Sequence, residues 1–261
     1  MDTGLNQQQQ TTRGKVANLK IFSLALTTMT TLTLHQGDIL EQLPKIPSES
    51  IDLIFTSPPY WKGFAYESHF NSYGQYLGWT TEWVKAIKRV LKPNGWFVLN
   101  IANDSETTVK AFEVLQLCLP HWKLHDTIIW NVYNRQPANT DRQLTNQHEY
   151  LFVFRHQGAG AVIHKEGIVE AYPSVFDSKN VGNVWKLPFK VAKQSLKKVT
   201  GGAKDWGHSG FPKILCELVI KLFSQPGDCV LDCFAGTGVV LKTANELERS
   251  AVGIDKNVVT V

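Results

Sequence analysis

The loop Ser57-Pro58-Pro59-Tyr60 contains residue types that could hold a flat ring bearing an amino group. Proline has no N–H and a fixed φ, so the two prolines make the loop stiff and leave its carbonyl oxygens as acceptors. The Ser57 hydroxyl and the Pro58 carbonyl could accept the two N–H groups of an exocyclic amine, while Tyr60 stacks on the ring. The alternative is a plain Pro-Pro turn at the end of a strand.

A second candidate site is the glycine-rich turn at residues 232–238, D-C-F-A-G-T-G. It lies between an apolar strand and a helix, and the next strand ends at Asp255, which is the order of a nucleotide-binding βαβ unit. Glycines let a ligand approach the backbone closely, and the final acid can bind ribose hydroxyls. Because the turn lacks the G-x-G-x-x-G pattern, S-adenosylmethionine, with its ribose and zwitterionic tail, fits better than a dinucleotide. Asp232 could position that tail.

Apolar periodicity predicts an α/β chain in which both candidate sites follow strands. The predicted strands cover residues 31–35, 51–55, 96–101, 124–132, 149–155, 229–231 and 250–254. The predicted helices cover residues 80–91, 105–119, 212–223 and about 239–247. Residues 62–78 are rich in Gly, Ser, Tyr and Phe and are predicted to form a mobile loop over the site.

The chain has 261 residues, of which 43% are hydrophobic, and a net charge of +4. This size fits one large α/β domain with an insertion, or two small domains, and the mild positive charge permits a polyanionic partner. The four cysteines form no C-x-x-C pair, so we expect neither a zinc or other metal site nor structural disulfides. Residues 1–14 are predicted to be a disordered tail. The run 21–34 is too polar for a membrane span and lacks a cleavage site, so we expect a cytoplasmic protein.

Residues 156–207 are rich in lysine and glycine and have no clear periodicity. The lysines have few acidic neighbours, and they are Lys186, Lys190, Lys193, Lys197, Lys198 and Lys204. The aromatic residues Trp185, Phe189 and Trp206 lie among them. Lysines neutralise phosphates and aromatic side chains stack on bases, so this pattern favours a nucleic-acid surface over the alternative of a solvated loop.

Between residues 31 and 256 the chain resembles DNA amino-methyltransferases of the class in which an S-P-P-Y motif precedes an F-x-G-x-G motif. The matching segments lie at residues 37–38, 56–60, 91–95, 146–150, 208–213 and 227–238. The resemblance implies a circularly permuted, Rossmann-like α/β fold: a mostly parallel seven-stranded sheet with helices on both faces. It also implies a single methyltransferase domain at residues 15–261, in which 156–207 form a DNA target-recognition insertion.

The resemblance also implies a role for each matching residue. Ser57, Pro58, Pro59 and Tyr60 would hold the target base. The S-adenosylmethionine site would comprise Asp38 at the adenine amino group, Asp255 at the ribose, Phe211 and Pro212 beside the methionine, and Asp232, Phe234, Gly236, Thr237 and Gly238. Phosphate contacts are expected from Lys190, Lys193, Lys197 and Lys198. The chain departs from the family at Cys233, Val239 and Asp255, where Pro, Thr and Glu are more usual.

The implied function is methyl transfer from S-adenosylmethionine to an exocyclic amino group of double-stranded DNA. Within the family, Ser57 and the H-x-x-F-P form at 208–212 favour cytosine N4. Adenine N6 and a degenerate binding protein without turnover are the alternatives. Cytosine C5 methylation is not expected because the chain has no Pro-Cys nucleophile. A separate restriction endonuclease is a possible partner, and the protein would act as a monomer or homodimer without a membrane.

In this fold a helix follows the strand that ends at Asp255, and the sequence ends at Val261. We therefore expect residues 15–29 to form a helix that packs beside the 250–255 strand and covers its apolar face. The alternative is an open surface or one used by a partner subunit.

Overall fold

The computed structural model describes residues 29–61, 63, 67–68, 70–103, 109–133, 144–158, 160–188 and 210–257. The strands are β1 (Leu32–Gln36), β2 (Ile51–Thr56), β3 (Leu91–Ile101), β4 (Lys123–Asn131), β5 (His148–Arg155), β6 (Val184–Lys186), β7 (Cys229–Asp232) and β8 (Ser250–Asp255). The helices are α1 (Ile39–Gln42), α2 (Tyr73–Ala86), α3 (Lys110–Cys118), α4 (Ile168–Ala171), α5 (Lys213–Phe223) and α6 (Val239–Glu246). Short 3-10 turns follow α1 and α2, at Leu43–Lys45 and Ile87–Arg89.

The strands form one mostly parallel sheet in the order β1-β8-β7-β2-β3-β5-β4-β6. Among the strands that the structure describes, only the β3–β5 and β4–β5 pairings are antiparallel. The prediction of a mostly parallel α/β sheet is thus confirmed, but the predicted number of seven strands is wrong. The additional strand is β6, which pairs in parallel with β4 through Trp185 opposite Trp130.

The core lies on both faces of the sheet because the central strands are buried on both sides. Side chains of β2 alternate between two apolar clusters: Leu53 and Phe55 belong to one, and Ile54 belongs to the other. Residues of α4, α5 and α6 complete the first cluster, and residues of α1, α2 and α3 complete the second. The predicted arrangement of helices on both faces is therefore confirmed.

Helix α2 begins earlier than predicted. Ser72 accepts a hydrogen bond from the Gln75 amide and caps the helix, which then buries Tyr76 and Trp83 against β3. The prediction of a mobile loop over residues 62–78 is therefore wrong for residues 73–78, where Gly74 and Gly78 obscured the helical pattern. Residues 62, 64–66 and 69 lie outside the described residues.

Trp185 is not available for nucleic acid, contrary to the sequence-based interpretation. Its side chain is fully buried, and its indole N–H donates to the Gly182 carbonyl at 2.8 Å. Most of the described part of the 156–207 segment, residues 160–188, packs on the first cluster through Ile168, Val175 and Leu187. The sequence of this segment did not predict its burial, because its apolar residues follow neither a helical nor a strand period.

The first and last described strands, β1 and β8, are parallel neighbours. The helix predicted at residues 15–29 lies outside the described residues except for Met29, so it stays a prediction. Among the described residues, no helix is long and apolar enough to cross a membrane.

Candidate active site

The carboxyl ends of five neighbouring parallel strands bring the two candidate sites to one edge of the sheet. The strands β1, β8, β7, β2 and β3 run in the same direction, so the segments that follow them share this edge. Open α/β sheets bind ligands at such an edge. The structure therefore brings together the S-P-P-Y loop, the glycine-rich turn, Asp38 and Asp255.

A direct hydrogen bond joins the S-P-P-Y loop to the glycine-rich turn. The hydroxyl of Thr56, the last residue of β2, donates to Oδ1 of Asp232 at 2.7 Å. Both residues are buried, with Asp232 only 3% exposed. Sequence reasoning missed Thr56, although its position directly before the loop was a usable signal. The bond fixes the two segments relative to each other.

Asp232 has an unusual protonation equilibrium. Burial raises its pKa to about 7, and the nearby Asp255 adds to the rise, while hydrogen bonds from Thr56 and the Phe234 amide oppose it. A buried carboxylate of this kind is stabilised by any positive charge placed beside it. The group therefore suits the cationic part of a zwitterionic ligand.

The glycine-rich turn is held by Asp255. Oδ2 of Asp255 accepts the Gly236 amide at 2.8 Å, and Oδ1 accepts the Asn257 amide at the same distance. Gly236 and Gly238 have φ values of 50° and 72°, a backbone region that favours glycine. A Cβ built on Gly236 would meet no atom closer than 3.8 Å, so the turn has open space above it. Each Asp255 oxygen keeps a second lone pair for a ligand hydroxyl.

Asp38 lies next to Asp255 at the ends of β1 and β8. The Gly37 amide donates to the Asp255 carbonyl at 2.8 Å. One Asp38 oxygen caps α1 at the Leu40 amide, and the other lies 3.2 Å from Nζ of Lys256. Together, Asp38, Asp232 and Asp255 offer three carboxylates at one edge, which fits a ligand with an amino group, a ribose and a positive charge.

Phe211 and Pro212 lie beside this edge. Phe211 stacks on Phe55 of β2, with ring centroids 4.8 Å apart and planes within 10°. Pro212 is the residue before α5. A Cβ on the preceding Gly210 would lie 3.4 Å from the Thr237 hydroxyl oxygen, so this segment touches the glycine-rich turn.

Phe234 contacts α2 on the other face of the sheet. Its ring lies 5.5 Å from Trp79 and 5.3 Å from Trp83, measured between ring centroids. Aromatic contacts of this kind stabilise the turn by packing. The early start of α2 thus contributes to the position of the glycine-rich turn.

The S-P-P-Y loop contains a chain of hydrogen bonds that ends in β3. The Ser57 and Tyr60 hydroxyl oxygens are 2.7 Å apart, and the Tyr60 hydroxyl donates to Oδ1 of Asn100 at 2.7 Å. Pro58 is buried, while Ser57, Pro59 and Tyr60 are partly exposed. Asn100 is only 1% exposed and was also missed from sequence, where it was assigned only to a buried strand.

The loop ends in a strained residue. Trp61 has a φ of 54°, which a bulky side chain rarely adopts. Its carbonyl accepts a hydrogen bond from Nζ of Lys110, a residue of α3 that is 3% exposed. Such strain costs on the order of 1–3 kcal/mol and is found at functional sites, where surrounding contacts hold it.

The four lysines predicted to contact DNA, Lys190, Lys193, Lys197 and Lys198, lie outside the described residues. Their role and that of the 189–207 stretch stay predictions. All four cysteines are described and are free thiols, and three of them are buried.

The chain is similar to known proteins in both sequence and structure. Residues 51–260 match the family model described as DNA methylase, of the N6 and N4 type. Type II methyltransferase M.HinfI of Haemophilus influenzae is 28% identical over 86% of this chain, which spans 64% of that protein's length. Type II methyltransferase M.SmaI of Serratia marcescens is 28% identical over 85% of each chain.

Two solved structures share the fold. The cytosine-N4-specific PvuII DNA methyltransferase has a TM-score of 0.72 and 22% identity, over 88% of this chain and 83% of that one. The M1.HpyAVI–SAM complex has a TM-score of 0.58 and 20% identity, over 87% of this chain and 94% of that one.

Proposed function

The chain belongs to the DNA methylase family, and we propose that it transfers a methyl group from S-adenosylmethionine to the exocyclic amino group of a flipped base in double-stranded DNA. Cytosine N4 is the proposed acceptor. The family resemblance expected from the motifs is confirmed by the family match, whereas the circular permutation stays an interpretation of motif order.

The main support is the hydrogen bond between Thr56 and Asp232. It ties the S-P-P-Y loop to the glycine-rich turn at 2.7 Å, so an amine held by the loop and a methyl donor held by the turn would lie on adjacent segments of one edge. Alignment of two reactants in this way lowers the barrier of a bimolecular step by removing its orientational entropy cost.

Ser57 and Pro58 act on the amine nitrogen. Its lone pair is delocalised into the ring, so it is a poor nucleophile. When the Ser57 hydroxyl and the Pro58 carbonyl accept its two N–H bonds, they favour the tetrahedral geometry in which the lone pair is localised. These bonds strengthen as positive charge develops on the nitrogen, which adds electrostatic stabilisation. The methylated nitrogen then releases one proton to solvent, because neither a serine hydroxyl nor a backbone carbonyl is basic enough to keep it.

S-adenosylmethionine supplies an electrophilic methyl group on a sulfonium. Asp232 would balance the positive charge of its methionine end, Asp255 would accept from the ribose hydroxyls, and Asp38 would accept from the adenine amino group. Phe211, Pro212, Phe234, Gly236, Thr237 and Gly238 would line the site. The target base must leave the duplex to reach this edge, and the Tyr60 ring would replace part of its lost stacking.

The test is methyl transfer to unmethylated duplex DNA, followed by mass spectrometry of the nucleosides. We expect N4-methylcytosine. N6-methyladenine would instead support the alternative acceptor. Binding of S-adenosylmethionine in calorimetry without any modified nucleoside would support a degenerate binding protein.

We also propose that residues 156–207 recognise the target sequence and that their lysines contact phosphates. The protein would act in the cytoplasm as a monomer or homodimer, separately from any cognate restriction endonuclease. Sedimentation velocity with and without a duplex would test the oligomeric state, and a stable larger assembly would contradict it.

A further inference from the structure

We infer that Asn100, acting through Tyr60, fixes the Ser57 hydroxyl as a hydrogen-bond acceptor toward the target base. Asn100 is thus a positioning residue that makes the site selective for bases with an amino group. The inference rests on the proposed function, in which Ser57 holds the amino group of the base.

The Asn100 amide determines which group donates and which accepts along the hydrogen-bond chain. Nδ2 of Asn100 lies 3.2 Å from the Tyr150 backbone carbonyl, which can only accept, so Nδ2 is the donor there. This leaves Oδ1 facing the Tyr60 hydroxyl at 2.7 Å, and the Asn100 backbone carbonyl lies 3.3 Å from the same hydroxyl. Both oxygens can only accept, so the single Tyr60 proton is directed to Asn100.

The orientation of the Tyr60 hydroxyl in turn determines that of the Ser57 hydroxyl. Since Tyr60 has donated its only proton, its oxygen must accept at the 2.7 Å contact with Oγ of Ser57. The Ser57 proton therefore points at Tyr60, and both lone pairs of Oγ remain to accept from a ligand. Asn100 is 1% exposed, so water does not compete for its oxygen.

A hydroxyl held in this state distinguishes amino groups from carbonyls. The exocyclic amine of cytosine or adenine donates to it, whereas the carbonyl at the same position of thymine or guanine would face it acceptor to acceptor. A buried polar group left without a partner lowers binding by roughly tenfold to a hundredfold. The chain thus selects amino-bearing bases as a class, and other contacts choose between cytosine and adenine.

The test measures kcat at saturating cofactor and DNA for Asn100→Leu, for Tyr60→Phe and for the variant that carries both changes. Leu is close to Asn in volume but accepts no hydrogen bond, so the Tyr60 proton loses its side-chain acceptor. Asn100→Asp is the conservative variant, because a protonated carboxyl can donate to the Tyr150 carbonyl while its other oxygen accepts from Tyr60, as the amide does.

We expect kcat to fall about tenfold in Asn100→Leu with unchanged cofactor affinity, and to return to near the wild-type value in Asn100→Asp. In the Tyr60→Phe background, Asn100→Leu should cause no further loss, because Asn100 acts through the Tyr60 hydroxyl. The matched control is Asn103→Asp, because Oδ1 of Asn103 accepts the Ala111 amide at 2.8 Å and a carboxylate does the same. Its kcat is expected to stay near the wild-type value.

Full activity in Asn100→Leu, or a further loss of the same size when Asn100→Leu is added to Tyr60→Phe, would overturn the inference and leave Asn100 a structural residue. If Asn100→Leu fails to fold, Tyr60→Phe alone keeps the stacking ring and removes the hydroxyl. Its kcat is expected to fall at least tenfold with unchanged cofactor affinity, and an unchanged kcat would equally overturn the inference. A wild-type protein that binds cofactor and methylates no DNA would refute the proposed function itself, before any variant is compared.

Discussion

Replacement of Asp232 by Asn should make the stability of the unliganded protein less sensitive to pH. Burial raises the Asp232 pKa from 3.8 to about 7, so the folded protein keeps this proton over a range in which the unfolded chain has lost it. The free energy of unfolding of the wild type therefore falls as pH rises through that range. Between pH 5 and pH 8 this carboxyl alone lowers it by about 2–3 kcal/mol.

Asn is nearly isosteric with Asp and can still accept from Thr56 and the Phe234 amide, but it does not titrate. The amide group of Asn also changes the free energy of unfolding, by an amount that is the same at both pH values. The stability of Asp232→Asn relative to wild type should thus rise by about 2–3 kcal/mol from pH 5 to pH 8. Urea unfolding without cofactor at the two pH values measures this difference.

The control is Asp177→Asn, because the Asp177 side chain is exposed and its replacement changes only the net charge. Its stability relative to wild type should stay constant between the two pH values. If Asp232→Asn also showed a constant difference, the carboxyl would titrate normally and burial would not raise its pKa.

The same titration should govern cofactor affinity. If the cationic end of S-adenosylmethionine binds the ionised carboxylate, about a tenth of the wild-type protein is competent at pH 6 and most of it at pH 8. Calorimetry should then show affinity about tenfold weaker at pH 6. Asp232→Asn should bind weakly at both values, and a variant that retained wild-type affinity would remove Asp232 from the cofactor site.

Three further changes test other parts of the molecule. Asp255→Ala removes the acceptor of the Gly236 amide and of the proposed ribose hydroxyls, and should weaken S-adenosylmethionine binding by about tenfold or more in calorimetry; unchanged affinity would move the ribose site elsewhere. Gly253→Ala places a Cβ against Leu241 and should lower the free energy of unfolding by about 1–3 kcal/mol, whereas Gly182→Ala, with open space around it, should be nearly neutral in the same urea titration. The last change replaces Lys193, Lys197 and Lys198 together by Ala. It should reduce the slope of log affinity for DNA against log salt concentration by about one unit for each phosphate that is no longer neutralised. A slope equal to that of the wild type would favour the alternative of a solvated loop.

Strong local patterns predicted most of the sheet. The buried strands β2, β3 and β5 contain continuous apolar runs, which predict strands directly. The S-P-P-Y loop and the glycine-rich turn each follow such a strand, so the sequence alone indicates the edge of the sheet at which a ligand would bind. The start of α2 was missed because the helix contains two glycines and many aromatic residues. The three-residue strand β6 was missed because its only buried side chain, Trp185, lies between exposed neighbours.

The details of the site depend on contacts between distant parts of the chain. The Thr56–Asp232 bond spans 176 positions, and no periodicity within either segment indicates it. Asn100 is one polar residue in an apolar strand, which sequence alone cannot distinguish from a residue at a sheet edge. Its partners are visible only once β2, β3 and β5 are aligned side by side.

The pairing of β1 with β8 also determines when the proposed cofactor site can form. Thr31 and Ser250 meet at the start of this strand pair and lie 219 positions apart in the sequence. Pairings across such separations form late, because a long loop must be closed before its contacts stabilise the chain. We therefore expect the amides of β1 to be protected from hydrogen exchange last during refolding, and early protection there would contradict this order. During synthesis, Asp38 emerges long before Asp255, so a nascent chain that lacks β8 cannot form the proposed cofactor site.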